Sequence, residues 1–163
     1  MLAGLGALVI ATFLQLAIPG DVLAWGLEPD LVLALVVAWA WVCGPRWAFG
    51  WALLGGLLLD LAGGGPVGVH ALSLLVAAYA VGVLRSVAGA RGWALTVPAG
   101  AVGGALYGGV LLLAPHLLSE VAPTWGPALA QLVGAVLSGG ILSVPFALLL
   151  LALWRTLAVQ RET

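Results

Sequence analysis

Residues 128–154 read ALAQLVGAVLSGGILSVPFALLLLALW, a long run without a single charged side chain. A helix needs about 20 consecutive apolar residues to cross the hydrocarbon core of a bilayer. The whole chain has the same character, since 64% of its 163 residues are hydrophobic and only 7% are charged. Soluble domains carry roughly 25% charged residues and use them to cover an apolar core. The sequence therefore predicts an integral membrane protein.

The composition also excludes several classes of protein. A soluble enzyme, a disordered segment and a nucleic-acid-binding module do not fit, and five basic residues in the whole chain form no basic patch. The single cysteine, Cys43, excludes an internal disulfide or a cysteine metal cluster. Two histidines and two carboxylates could ligate zinc (His70, His116, Asp60 and Glu120), but their spacing matches no zinc motif. We expect no cofactor, no metal, no nucleic-acid partner and no catalytic site.

The apolar runs indicate helices and not the strands of a barrel. Barrel strands alternate apolar and polar residues, whereas these runs are continuous and are interrupted by glycine and proline. The sequence predicts an all-α, polytopic membrane bundle of about six transmembrane helices, forming a single domain over residues 1–163. The expected helices cover approximately residues 2–18, 30–43, 47–61, 69–84, 93–114 and 128–154. The first run lacks the basic start and small-residue cleavage site of a signal peptide, so we interpret it as a permanent helix.

The second and third runs are short for a full crossing, so residues 29–62 could instead form a re-entrant hairpin. Charge placement favours six crossings. Five arginines then share one side (Arg46, Arg85, Arg91, Arg155 and Arg161), and five carboxylates share the other (Asp21, Glu28, Asp30, Asp60 and Glu120). The positive-inside rule places the arginine side, with both termini, in the cytoplasm.

Small residues recur at a spacing of four on several predicted helices. Helices in lipid associate through close backbone approach at such residues. The candidates for helix packing or partner contact are Ala3, Ala7 and Ala11 on the first helix, Ala48 and Ala52 on the third, and Gly100, Gly104 and Gly108 on the fifth. These stripes either hold the bundle together or bind a partner's helix. For partner contact we expect the first and third helices together with the outer loops.

Two carboxylates lie at predicted helix ends. Asp30 follows Pro29 at the start of the second helix, where a carboxylate caps the backbone and faces the positive end of the helix dipole. Asp60 lies at the carboxyl end of the third helix, where the dipole repels it. Its compensation could come from the glycine turn at 63–65, the amino end of the fourth helix, His70 or protonation. We expect Asp60 to fix the turn between the third and fourth helices.

Ordered short motifs in residues 28–80 resemble those of the rod shape-determining protein MreD family. They are EPDLVL at 28–33, GGLLLD at 55–60, GGPVGVHAL at 64–72, and Tyr79. The family has a P-D-L start to its second helix, a G-L-x-x-D segment and a G-x-P-x-G turn that leads into A-L and a tyrosine. The signature positions that carry over are Pro29, Asp30, Gly55, Gly56, Asp60, Pro66 and Gly68.

This resemblance implies a non-catalytic adaptor in the bacterial inner membrane. Such proteins bind the single-span protein MreC and help couple MreB filaments to peptidoglycan synthesis by RodA and its penicillin-binding partner. The family is also similar in fold to the six-helix S components of energy-coupling-factor transporters, which implies an alternative function in vitamin capture. That alternative requires an outward-facing polar pocket. The side chains that could line one are few (Gln15, Asp60, His70, Tyr107, His116 and Gln131).

Overall fold

The computed structural model describes residues 2–17, 29–63, 66–88, 95–118 and 125–159, with side chains for 4–17, 29–63, 66–88, 95–114 and 126–152. These ranges contain helices and no strand, so the prediction of an all-helical chain is confirmed. The helices are α1 (Leu2–Ala17), α2 (Leu31–Cys43), α3 (Pro45–Gly63), α4 (Val69–Ala88), α5 (Thr96–Leu118), α6 (Trp125–Leu137) and α7 (Ser143–Val159). A π-helical turn, Ser138–Leu142, joins α6 and α7 into one continuous rod.

Three stretches are long and apolar enough to cross a membrane: Val69–Ala88, Thr96–Ala114 and Gly126–Ala152. At about 1.5 Å per residue, they span from about 28 to about 40 Å, close to or beyond the thickness of a hydrocarbon core, roughly 30 Å. The chain is therefore a membrane protein by composition and by helix length.

Helix ends differ from the sequence prediction by a few residues. Helix α3 begins at Pro45, ahead of the expected residue 47, because proline suits the first helical turn, where its missing N–H is not needed. Helix α4 continues past Arg85 to Ala88, and α5 extends past residue 114 to Leu118. The π turn was not predicted. The Gly139-Gly140 pair inside it is the local signal, since glycine pairs and π turns both mark irregular helix.

Helix α2 forms the centre of the bundle. All residues from 32 to 38 are buried, as are Ala40 and Trp41. The helix packs against α1, α3, α4, α5, the π turn and α7. Its 13 residues span about 20 Å, less than a hydrocarbon core. Because other helices enclose it, the polar ends of its backbone are shielded from lipid by protein.

Helix α3 buries one stripe of residues at spacings of three and four. The stripe consists of Ala48, Trp51, Ala52, Gly55, Gly56, Leu59 and Asp60. A Cβ atom on Gly55 would lie 2.8 Å from Cγ1 of Val32 in α2, and a Cβ atom on Gly56 would overlap the backbone of Ala71 in α4. The two adjacent glycines therefore let α3 approach both neighbours closely.

The glycine stripe of α5 lies in its crossing with α6 and the π turn. A Cβ atom on Gly100 would overlap the carbonyl of Gly139, and one on Gly104 would overlap the carbonyl of Ala135. At Gly108 the added atom would lie 2.9 Å from Cδ1 of Leu132. This stripe is occupied by the chain's own helices.

Helix α1 buries a face that differs from its alanine stripe. Leu8, Ala11 and Thr12 are buried, whereas Ala7 is exposed. Gly4 provides a close approach to Trp39 and Trp51, whose ring centroids are 4.8 Å apart. Ala11 therefore packs inside the bundle, Ala7 faces away from it, and the side chain of Ala3 lies outside the described residues.

Candidate functional site

Asp60 joins the end of α3 to the start of α4. Its carboxylate accepts hydrogen bonds from the backbone N–H groups of Gly68 at 2.7 Å, His70 at 3.0 Å and Ala71 at 3.4 Å. The Nδ1 atom of His70 lies 2.8 Å from Asp60 Oδ1. Gly68 has φ +102°, a conformation that favours glycine, and it lies in the turn that brings its N–H and the start of α4 to the carboxylate. Of the partners considered from the sequence, the amino end of α4 and His70 are both in place.

Asp30 caps α2 and also binds the last helical rod. Its Oδ1 atom accepts a hydrogen bond from the backbone N–H of Leu33 at 2.8 Å, which is an N-cap geometry. Its own backbone N–H donates to Oγ of Ser138 in the π turn at 2.8 Å. The side chain of Tyr107 in α5 lies close to the Asp30 carboxylate. Asp30 therefore ties α2 to α5 and to the π turn.

Gln15 brings α1 into the same region. Its Oε1 atom accepts a hydrogen bond from the backbone N–H of Val32 at 3.1 Å, and its side chain lies close to Asp30. The ring centroids of His70, which contacts Asp60, and of Tyr107, which contacts Asp30, are 6.5 Å apart. The contacts of the two aspartates therefore lie side by side. We call the whole set the polar cluster: Gln15, Asp30, Asp60, His70, Tyr107 and Ser138.

Each of the helices α1, α3, α4 and α5 contributes one residue to the polar cluster. Asp30 comes from the N-cap of α2, and Ser138 comes from the π turn between α6 and α7. Among the side chains that the structure describes, every buried nitrogen or oxygen atom has a hydrogen-bond partner. Satisfied polar contacts between membrane helices stabilise one relative placement, because a displaced partner would leave a polar group in hydrocarbon. The arrangement therefore fixes the relative register of the helices where they meet at the polar cluster.

Arg85 in α4 contacts the carboxyl end of α2, which is the end opposite to the Asp30 cap. Its Nη2 atom donates to the carbonyl of Val42 at 2.9 Å, next to Gly44 at φ +94°. A guanidinium at a helix carboxyl end complements the helix dipole. Both ends of the central helix are thus held by side chains.

Most of the residues predicted as family signature or helix-packing positions lie between the helices of the bundle. Those buried against neighbouring helices, or bonded to them, are Asp30, Asp60, Gly55, Gly56, Ala11, Ala48, Ala52, Gly100, Gly104 and Gly108. Pro29 is half-buried and Pro66 is exposed. Of the polar residues considered for a pocket, Gln15, Asp60, His70 and Tyr107 join the polar cluster, whereas Gln131 is exposed.

Sequence reasoning missed Ser138 and the role of Tyr107. Ser138 follows Asp30 by 108 positions, and no local pattern links the two. Within the described residues, no group of three or more histidine, cysteine or acidic side chains could hold a metal ion. The side chains of His116 and Glu120, considered as zinc ligands, lie outside the described residues.

These features define a class: a helical membrane protein whose buried polar groups join its helices to one another. The model of the MreD family, described as rod shape-determining protein MreD, matches residues 1–98. The chain therefore belongs to the MreD family. Searches of curated proteins and of solved structures gave no match.

Membership gives the chain a role in rod shape determination, within the shape-determining system that MreB, MreC and MreD form. The family is a shape-determining, non-enzymatic one. The matched residues contain the whole of α1 to α4, including the contacts of Asp60 and the cap made by Asp30. The resemblance seen in the sequence is thus confirmed.

Proposed function

We propose that this protein is a non-catalytic membrane adaptor of the bacterial cell-elongation machinery. In this role it binds MreC and supports peptidoglycan synthesis by RodA and its penicillin-binding partner, in connection with MreB. The family match over residues 1–98 is the observation that carries the proposal. The polar cluster supports it, because an adaptor needs a fixed shape for its partner to bind.

We further propose that the chain is a single domain that crosses the inner membrane six times, with both termini in the cytoplasm. The contact between Arg85 and the carboxyl end of α2 supports this topology, because it puts a basic residue at the end that the positive-inside rule assigns to the cytoplasm. The enclosed position of α2 explains how so short a helix could take part in a full crossing.

Vitamin capture is the alternative that an S-component-like fold implies. Such a site needs polar groups free to bind a ligand. In the part of the chain that the structure describes, the buried polar atoms are bonded within the protein. This favours the adaptor function.

Co-purification tests the proposal directly. A tagged copy of this protein, solubilised in a mild detergent, should retain MreC through purification. Depletion of the protein should turn rod-shaped cells into spheres, and the wild-type gene should restore the rods. Failure to retain MreC, together with a vitamin bound in native mass spectrometry, would favour the transport function.

A further inference from the structure

Two arginines lie close together at the junction of α2 and α3. Arg85 of α4 donates a hydrogen bond from Nη2 to the carbonyl of Val42 at 2.9 Å, and a Cβ atom on Gly44 would lie 2.8 Å from its Nη1 atom. Arg46 follows Gly44 by two residues, so the Cα atoms of these two residues are at most about 7.6 Å apart. Gly44, at φ +94°, thus leaves space for the Arg85 guanidinium beside the first turn of α3. We call Arg46 and Arg85 the arginine pair.

No carboxylate neutralises the arginine pair within the part of the chain that the structure describes. The carboxylates in that part are those of Asp30 and Asp60. At 1.5 Å per residue, Asp30 lies about 18 Å from Val42 along α2. Asp60 lies about 21 Å from Arg46 along α3. Both aspartates belong to the polar cluster, at the opposite end of these helices.

The arginine pair has N–H donors left for an acceptor from outside the chain. Arg46 is exposed and has no hydrogen bond or ion pair with the described residues. Arg85 is half-buried, and its hydrogen bond to Val42 uses one of its five N–H groups. Two neighbouring positive charges repel each other, and an anion that binds both relieves the repulsion. Guanidinium groups bind phosphate through two parallel hydrogen bonds, so phosphate suits the arginine pair.

The arginine pair lies at the level of the lipid headgroups. Arg85 is three residues before the end of Val69–Ala88, one of the stretches long and apolar enough to cross a membrane. At 1.5 Å per residue it is about 24 Å from the start of that stretch, near the far boundary of a hydrocarbon core. Trp47, next to Arg46, is 55% exposed, and tryptophan is enriched at the headgroup level.

Apolar side chains border the arginine pair. Leu84 and Val87, which lie before and after Arg85 on α4, are 37% and 80% exposed. Apolar surface beside a phosphate site suits the acyl chains of a lipid and offers nothing to a soluble phosphate. A zwitterionic lipid would bring its own positive charge to the two arginines, whereas an anionic lipid brings none. Basic sites between membrane helices bind anionic headgroups for this reason.

We propose that Arg46 and Arg85 form a binding site for the phosphate group of an anionic phospholipid, whose acyl chains lie along the exposed apolar side of α4. The bound phosphate holds the Arg85 guanidinium against the carboxyl end of α2, so the lipid stabilises the junction of α2, α3 and α4. The inference goes beyond the adaptor function and does not depend on it.

Thermal unfolding tests the choice of ligand, with the full chain purified in a non-ionic detergent and stripped of lipid. Added phosphatidylglycerol should raise the melting temperature, because a ligand that binds the native state stabilises it. Phosphatidylethanolamine and inorganic phosphate, at the same concentration, should raise it far less. Equal stabilisation by phosphatidylethanolamine would show that the arginine charges do not select the lipid. Equal stabilisation by inorganic phosphate would show that the ligand is not a lipid, and either result overturns the inference.

Arg46→Gln tests the site itself. The melting temperature without lipid should not change, because Arg46 bonds to nothing in the described chain. The phosphatidylglycerol concentration that gives half of the full stabilisation should rise roughly fivefold, the effect of one basic residue near an anionic lipid surface. Arg46→Lys keeps the charge and loses only the bidentate geometry, so its value should lie between those of the wild type and Arg46→Gln.

Arg161→Gln is the matched control, since it changes the net charge by the same amount at a position two residues beyond the end of α7. It should bind phosphatidylglycerol like the wild type. Equal weakening by Arg46→Gln and Arg161→Gln would indicate diffuse attraction to the net charge and no site at the arginine pair. Wild-type affinity in Arg46→Gln would also contradict the site. Native mass spectrometry of the same samples should show fewer retained phosphatidylglycerol molecules on Arg46→Gln than on Arg161→Gln.

Discussion

Asp60 is the residue on which the α3–α4 connection depends most. Its side chain is fully buried and accepts three backbone hydrogen bonds as well as the contact with His70. Asp60→Leu would leave these buried and partly buried donors without an acceptor, at up to about 1–3 kcal/mol for each. We expect this variant to lose most of its folded yield in detergent, measured by size-exclusion chromatography.

Asp60→Asn is the matched comparison. The amide keeps one acceptor oxygen and nearly the same volume, so it should retain part of the bonding and an intermediate melting temperature. Equal behaviour of the leucine, asparagine and wild-type proteins would show that Asp60 does not fix the turn.

Ser138 connects the last helical rod, α6 to α7, to the start of α2. Its hydroxyl accepts the backbone N–H of Asp30, and the residue is 1% exposed. Ser138→Ala should lower stability by about 1–3 kcal/mol, because a buried donor loses its partner. Ser86→Ala is the control, since Ser86 is exposed and its hydroxyl bonds only to the local carbonyl of Val83. Matching melting temperatures for the two alanine variants would contradict this role for Ser138.

At the residue scale, the sequence indicates a contact when both partners lie close together in the chain. The position of Asp30 after Pro29 indicates a helix cap, and the few residues between Asp60 and His70 make their contact easy to foresee. The hydrogen bond of Asp30 to Ser138 and its contact with Tyr107 join separate apolar runs. Such contacts depend on the rotation of whole helices, which uniformly apolar runs do not specify.

At the scale of helices, the packing of α3 on α4 depends on Gly56. An added methyl group would collide with the backbone of Ala71, which cannot rotate away as a side chain can. Gly56→Ala should therefore destabilise the protein by at least about 1–3 kcal/mol, the usual range for overpacking. Gly50 provides a control on the same helix, because nothing lies within 4 Å of an atom added there.

Gly50→Ala should be neutral or slightly stabilising, since alanine favours helix over glycine by up to about 1 kcal/mol. Melting temperatures of the two variants in the same detergent measure the difference. If Gly56→Ala is as stable as Gly50→Ala, the close approach of α3 and α4 is not required.

The spacing of small residues identifies the buried face of some helices and not of others. On α3 and α5 the spacing of four coincides with the buried face, because alanine and glycine there meet neighbouring backbones. On α1 it does not, since Leu8 and Thr12 are buried while Ala7 is exposed. A peripheral helix can bury larger residues against its neighbours, so small size alone does not identify its inner face.

At the scale of the whole molecule, the enclosed α2 accounts for the short second run. A helix of about 20 Å would expose polar backbone ends if lipid surrounded it. Here Asp30 caps one end and Arg85 binds the carbonyl of Val42 at the other. The length of the run alone could not separate a crossing from a re-entrant hairpin, because the difference depends on which helices surround it.

Cysteine labelling distinguishes these two topologies. In a Cys43→Ser background the protein has no other cysteine, so single cysteines can be placed at three described positions. Val67→Cys lies between α3 and α4, Arg46→Cys in the first turn of α3, and Ser86→Cys near the end of α4; all three positions are exposed. A membrane-impermeant maleimide is then added to spheroplasts before or after lysis.

Six crossings with cytoplasmic termini require Val67→Cys to react in intact spheroplasts, and Arg46→Cys and Ser86→Cys to react only after lysis. A re-entrant hairpin over residues 29–62 would leave the reactions at positions 67 and 86 unchanged, but position 46 would lie at the tip of the hairpin and remain unlabelled. Reaction at position 86 in intact spheroplasts would invert the whole arrangement. It would also place Arg85 outside the cell, against the preference of basic residues for the cytoplasmic side.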